Sequence, residues 1–216
     1  MNPPRIPLSR ERILSAAITL ADEGGIDSLS MRKLAQELGV EAMSLYNHVK
    51  NKDDLLSGIV EAVAGEIAAP SADTEWKTAI REIATSAHES LLRHPWASDL
   101  WIRTSPGPAR MRYGDSLLGA LRGAGAFSGE LTYHAYHILE AYILGYTGQV
   151  LNFRAVDEKQ FEDVVAGFIR GDYADEFPHF TEHALQHMEP HDDGVNAYEL
   201  GLDLILDGLE HLRDAA

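Results

Sequence analysis

The chain has 216 residues, 45% of them hydrophobic, no cysteine, and a formal net charge of -16. That length accommodates one ordinary domain, or a small head joined to a larger body, with enough apolar residues for a sizeable core. The missing cysteine excludes disulfides, thiol redox chemistry and Cys-ligated zinc or iron–sulfur sites.

The opening "MNPPRIPLSRER" lacks the apolar stretch of a secretory signal. No run of about eighteen apolar residues follows, so no membrane span and a cytoplasmic location are expected. The first helix starts at Ser9, an N-cap with Leu8 and Ile13 placed as a hydrophobic staple. Ile13, Leu14, Ala17, Ile18 and Ala21 then follow helical spacing until Gly24-Gly25. Ser30 caps a second helix, "MRKLAQEL", which ends at Gly39. A third, short helix covers about 41–47. Asn51 with Asp54 resembles a capping box for a fourth, "KDDLLSGIVEAVAGEIAA", closed by Pro70. Further helices are predicted over 74–93, 95–103, 108–123, 129–154, 158–171, 176–188 and 195–213. The 171–194 stretch, rich in Asp, Glu, His and Pro, is expected to be the loosest. No alternating strand pattern and no solenoid-length repeat occurs. The fold class is therefore all-α: a three-helix head over 1–52, a connecting helix over 53–68, and a larger helical body over 69–216.

Charge divides the chain the same way. Residues 1–52 carry seven Lys or Arg against six Asp or Glu, whereas the remainder carries 11 against 28. The acidity belongs to the body, and the head is free to meet an anionic partner.

The head reads as a helix-turn-helix. Gly39 lets the chain turn after Leu38. Leu34, Ala35, Leu38 and Leu45 are expected to pack on Ile13, Ala17 and Ile18. The third helix then has one apolar anchor, Leu45, and its other faces point outward, as in a helix laid in a DNA major groove. Arg32 and Lys33 lie in the first turn of the second helix, where Arg32 reaches a guanine edge or a phosphate. Ala42 and Met43 suit thymine methyl groups, and Ser44 a base or a phosphate. Tyr46, His48, Lys50 and Lys52 suit phosphates, which position a protein without reading sequence.

The segment "SMRKLAQELGVEAMSLYNHVKNKDDLL" closely resembles the DNA-binding head of the tetracycline-repressor (TetR) family, over roughly residues 9–66. The resemblance implies that Arg32, Ala42, Met43, Ser44, Tyr46, His48 and Lys52 sit at operator-contacting positions. Where the tetracycline repressor has Gln-Pro-Thr, this chain has Ala42-Met43-Ser44. The bidentate reader is gone, so a different operator is expected.

In the last helix Gly194, Gly201 and Gly208 recur every seven residues. Mid-helix glycine costs about 1 kcal/mol against alanine, which points to close approach of another helix, in the same chain or another. This segment also looks like the helix that builds the family's four-helix dimer interface. The resemblance implies a homodimer through helices near 129–154 and 195–213, with Gly145 and Gly148 on the first. Two recognition helices would then lie about 34–36 Å apart over a palindrome in double-stranded DNA.

A fainter resemblance through the body implies a small-molecule effector site between helices from about 76 to 145. Its candidate lining is Ile83, Ala87, Trp101, Thr104, Met111, Leu117, Tyr133, Tyr136, His137 and Glu140. Trp101 falls where the tetracycline repressor holds magnesium with a histidine, and Ala68, Ile83 and Ala87 replace its polar and aromatic drug contacts. A hydrophobic or aromatic effector is expected in place of magnesium–tetracycline, with no metal and no cofactor. His179, His183 and His187 fall at four-residue steps that can hold zinc, although no motif fixes a carboxylate beside them. The leading expectation is a ligand-responsive dimeric repressor rather than an enzyme. The alternatives are a constitutive DNA-binding regulator, or an all-helical enzyme using His137 and Glu140 as an acid–base pair.

Overall fold

The computed structural model describes residues 7–155, 159, 163–167, 173–188 and 194–215. The helix expected over 158–171 falls largely outside them, with 163–167 helical, and so does most of the 189–194 junction. All regular structure among the described residues is helical, as the sequence pattern requires. No described helix is long and apolar enough to cross a membrane.

The head comprises α1 (Arg10–Gly24), a 3-10 turn (Ile26–Ser28), α2 (Met31–Leu38) and α3 (Ala42–Leu45). Ser9 caps α1 through the Arg12 amide, and Ser30 caps α2 through the Lys33 amide. Gly39 takes the left-handed conformation (φ 65°) and lets the amides of Gly39 and Val40 reach back to the last carbonyls of α2. The chain thereby reverses within three residues and delivers α3 across α2. Ile13, Ala17, Leu34, Ala35 and Leu45 are buried together. Ile18 and Leu38, expected in that core, sit at its edge and are only partly buried.

The connecting helix α4 (Lys52–Ala64) packs against α1 on one side and against the body on the other. Leu55, Ile59, Val60 and Val63 are fully buried along it. It stops four residues before the expected end. Beyond Gly65 the Ala68 amide donates to Ser86 Oγ of the next helix at 2.9 Å, so the chain is pinned to the body and no longer turns helically.

The body contains α5 (Trp76–Arg93), α6 (Pro95–Arg103), α7 (Pro108–Arg122), α8 (Gly129–Ala155), α9 (Tyr173–Glu176), α10 (Pro178–Met188) and α11 (Ala197–Asp214). Helix α5 runs through the centre, against α6, α7 and α8. Helix α11 buries Tyr198, Leu202, Leu206 and Leu209. Two ion-pair groups stitch it to α5: Lys77 with Asp207 and Glu210, and Arg81 with Glu199 and Asp203.

The three glycines of the α11 row have three different surroundings. Gly194 precedes the helix in a left-handed conformation (φ 69°). A side chain at Gly201 would collide with the Tyr142 hydroxyl of α8, which itself donates to Tyr198 O at 2.7 Å. Close approach at Gly201 is thus intramolecular. Gly208 has open space above it, as do Gly145 and Gly148 on α8.

Candidate nucleic-acid interface and ligand site

One apolar side chain holds α3 in place. Leu45 is 0% exposed, while Met43 before it is 74% exposed and Tyr46 after it 44%. Arg32, Lys33, Lys50 and Lys52 are exposed, and Ala42, Ser44 and His48 are half-buried. Lys33 Nζ leans back to Ser28 Oγ at 3.3 Å. The nine candidates thus lie on α2, on α3, in the α3–α4 turn and, for Lys52, at the first position of α4.

That turn is fixed by an ion pair absent from the sequence expectations. Arg10 donates to Asp54 Oδ1 at 2.8 Å and to the His48 carbonyl at 3.0 Å. Asp54 also accepts from the Lys50 amide at 2.8 Å, and Asn51 caps the Asp54 amide at 2.8 Å. Arg10 first, then the Lys50 amide, hold the Asp54 carboxyl below its ordinary pKa. A lowered folded pKa stabilises the head above the unfolded value of about 4, and the contribution is lost as pH falls through the lower folded value. Asp54→Asn should therefore flatten the acid limb of the stability curve below about pH 4, which denaturant midpoints at pH 2.5–6 will check.

Helix α4 carries the head and is itself gripped by the body. The Glu61 carboxylate accepts from the amides of Gly107 (2.9 Å) and Ala109 (2.7 Å), the first free donors of α7. It also accepts from Arg110 Nε at 2.8 Å. Arg110, 6% exposed, spends its remaining donors on the end of α6: the carbonyls of Trp101 (2.9 Å), Thr104 (3.0 Å) and Ser105. Burial opposes the Glu61 charge, yet these donors together keep its pKa below the usual value. One buried guanidinium thus ties α6, α7 and α4 together. A second tie joins α1 to the body, where Asp22 Oδ1 accepts from Trp96 Nε1 at 2.6 Å and lies 2.9 Å from His94 Nδ1.

In the body Ile83 and Leu117 are 0% exposed and Ala87 and Trp101 are buried. The Trp101 ring meets Tyr113 edge-on at 5.6 Å and the Arg110 guanidinium at 5.7 Å. Thr104 is half-buried, its hydroxyl donating to the Leu100 carbonyl at 2.8 Å. Tyr136 and Glu140 are half-buried on α8. Met111, Tyr133 and His137 are exposed in the single chain, away from this interior group. His137 meets the rings of Tyr133 (4.7 Å) and Tyr136 (5.4 Å). Burial raises the Glu140 pKa; the Tyr136 hydroxyl, ahead of the His137 ring, opposes that rise. His179 and His183 lie on α10, and no group of three His, Cys, Asp or Glu among the described residues is placed to hold a metal.

Sequence reasoning missed Arg10, Glu61, Arg110 and Tyr113, and gave Asp54 a capping role alone. A signal existed for Arg10 and Arg110: a cation in the first turn of a helix opposes the helix dipole and calls for an acidic partner.

Known proteins share both halves of this arrangement. Residues 13–59 match the family model described as bacterial regulatory proteins, tetR family, and residues 69–213 match the tetracyclin repressor-like C-terminal domain. The class D tetracycline repressor protein of Escherichia coli is 34% identical over 207 residues, covering 94% of this chain and 89% of that protein. An HTH-type transcriptional regulator of Saccharopolyspora erythraea is 34% identical over 170 residues, 78% of this chain and 72% of its own length. Among solved structures, ActR of Streptomyces coelicolor without ligand superposes with a TM-score of 0.79 at 29% identity, covering 98% of this chain and 99% of that one. Its complex with actinorhodin gives 0.77 at 29% identity over 94% and 97%.

Proposed function

The chain belongs to the tetracycline-repressor family of bacterial regulators, and we propose that it is a dimeric repressor released from a palindromic operator by a hydrophobic or aromatic effector. The observation that carries the DNA half is the outer face of α3. A four-residue helix anchored through Leu45, with Met43 and Tyr46 exposed on either side, leaves its outer face uncovered among the described residues. It fits a major groove, with Arg32, Lys33, Lys50 and Lys52 along the flanking phosphates.

The effector half is supported by the ligand-bound relative and by the grip of α6 and α7 on Glu61 of α4. An effector held between α5, α6, α7 and α8 has a path of direct bonds to the helix that carries the head. Ligand and DNA then weaken each other reciprocally. Trp101, enclosed by Tyr113 and Arg110, offers an aromatic ring and no metal-binding nitrogen, which supports an effector other than magnesium–tetracycline.

The test is selection of genomic fragments by the purified protein at low salt. A palindromic site should be recovered, with affinity falling steeply as salt rises. Recovery of no site would overturn the reading. Tyr46→Ala combined with Lys52→Ala should weaken operator binding by roughly a hundredfold or more, since each contact to a charged group is worth about 1.5 kcal/mol, and leave the dimer intact. Fluorescence anisotropy and sedimentation measure the two properties separately. Unchanged affinity would mean that another face docks on DNA.

A further inference from the structure

We infer that Arg10 and Asp54 are positioning residues of the DNA interface: as an ion pair between α1 and α4 they hold the α3–α4 turn in the form that presents His48, Lys50 and Lys52 to phosphates. This rests on the reading of the head as a DNA-binding unit, and it gives the two residues a role that needs no contact with DNA.

Phosphate contacts fix a protein's place on a duplex, so their donors must themselves be fixed. A turn that becomes ordered only on binding loses part of its affinity to that ordering, whereas a turn held beforehand does not. In the α3–α4 turn one guanidinium and one carboxylate provide the hold. Arg10 meets Asp54 as a fork, Nη2 to Oδ1 at 2.8 Å and Nη1 to Oδ2 at 3.1 Å. Nη1 also donates to the His48 carbonyl at 3.0 Å, and Asp54 Oδ2 accepts from the Lys50 amide at 2.8 Å. The peptide groups before and after Val49 are thus both drawn to the pair. Val49 itself is 1% exposed, while the Lys50 side chain stays exposed.

Helix α4 leaves room for this arrangement. A side chain at Gly58 would stand 2.7 Å from Leu14 Cδ2 and 3.1 Å from Arg10 Nη2. Glycine is unfavourable inside a helix, and here the bare backbone lets α1 lie close enough for Arg10 to reach the turn. Toward DNA, Asp54 is adverse by charge alone. It stands in the first turn of α4, next to Lys50 and Lys52, where a carboxylate repels phosphates. The bond to Arg10 offsets that charge, and it equally turns the Arg10 fork away from phosphates and onto protein acceptors. What the pair contributes to binding is the fixed turn.

The experiment is fluorescence anisotropy on the full-length protein with two probes: a duplex of mixed sequence at low salt, and the palindromic site recovered by selection. Asp54→Ala separates positioning from plain electrostatics by sign. Removing a carboxylate from an anion-binding surface should, by charge alone, tighten both complexes. Losing the held turn should instead weaken the palindromic complex by roughly tenfold or more, about the worth of one contact to a charged group, and the mixed duplex in the same direction. Arg10→Met should match it. Arg10→Lys should restore little, because an ammonium keeps the charge but not the fork. Arg10 is 43% exposed, so its two variants should fold even if Asp54→Ala does not, and the Lys-against-Met comparison then decides. Titrations are run well below each melting temperature, on protein shown to be dimeric by sedimentation. Hydrogen exchange on the free protein should find the Lys50 amide faster in Asp54→Ala than in the parent. An Asp54→Ala that binds as tightly as the parent or tighter, or full restoration by Arg10→Lys, would overturn the proposal. If the parent binds the mixed duplex, the variants follow this pattern and no palindrome is recovered, the repressor reading fails and the positioning role stands. If a palindrome is recovered and the variants bind it like the parent, the positioning role fails and the reading stands.

Discussion

Arg110→Ala should destabilise the protein by about 3–5 kcal/mol, the range expected when one member of a buried ion pair is removed. The side chain makes four hydrogen bonds from a position 6% exposed: one to Glu61 and three to the carbonyls of Trp101, Thr104 and Ser105. Truncation leaves those carbonyls without their donor at the end of α6, and leaves Glu61 with only the Gly107 and Ala109 amides. Chemical denaturation measures the loss. Arg110→Lys should recover only part of it, because an ammonium keeps the charge but cannot span the same four acceptors with a planar fork. Glu61→Gln should cost less than Arg110→Ala, since the amide oxygen still accepts from α7 and the three α6 carbonyls keep their donor. A change below about 1 kcal/mol in Arg110→Ala would show that water replaces the clamp without loss. Function offers a second readout. If the clamp carries the effector signal from α6 and α7 into α4, Glu61→Gln should retain operator binding and lose part of its response to ligand.

What the sequence disclosed and what it withheld divide along sequence separation. Caps at Ser9, Ser30 and Asn51 are local chemistry, and each accepts the amide expected of it, although the Asp54 carboxylate of the Asn51 box takes the Lys50 amide instead of closing the box. Leu45 as the apolar anchor of a short helix is likewise a local reading, and it is fully buried. The clamp is different in kind. Glu61 and Arg110 are 49 residues apart, and neither stands in a motif. Arg10 and Asp54 are 44 apart and look like ordinary surface charges until α1 and α4 meet. The glycine row shows the same limit in reverse. A perfect heptad suggested one cause, but Gly194 serves a backbone turn, Gly201 makes room for Tyr142, and Gly208 faces open space. Tyr113 was passed over because an aromatic residue at core spacing gives no hint that its oxygen lacks a partner among the described residues.

Gly208 leads to the last large effect. Leu200, Leu204 and Leu212 flank it on the outer side of α11 and are 50%, 68% and 54% exposed. The acids between them do not break this stripe: Asp203 is drawn to Arg81, and Asp207 to Lys77, both on α5. What remains is an apolar strip with bare backbone at its middle, beside the open Gly145 and Gly148 of α8. Two such strips related by a twofold axis would form the four-helix contact of a dimer, with the glycines admitting close approach. Leu204→Asp should therefore leave each protomer folded, because the position is solvent-exposed in the single chain. In the dimer it places two like charges near the axis, where neither has a partner. At about 2 kcal/mol for each desolvated charge, a conservative figure for an unpaired group, dimerisation should weaken by roughly a thousandfold. Operator affinity should fall with it, since a lone head reaches one half-site and forfeits the second set of phosphate contacts. Sedimentation velocity at micromolar concentration should find monomers with an unchanged helical circular dichroism spectrum. A variant that remains dimeric and binds DNA normally would move the interface off α11.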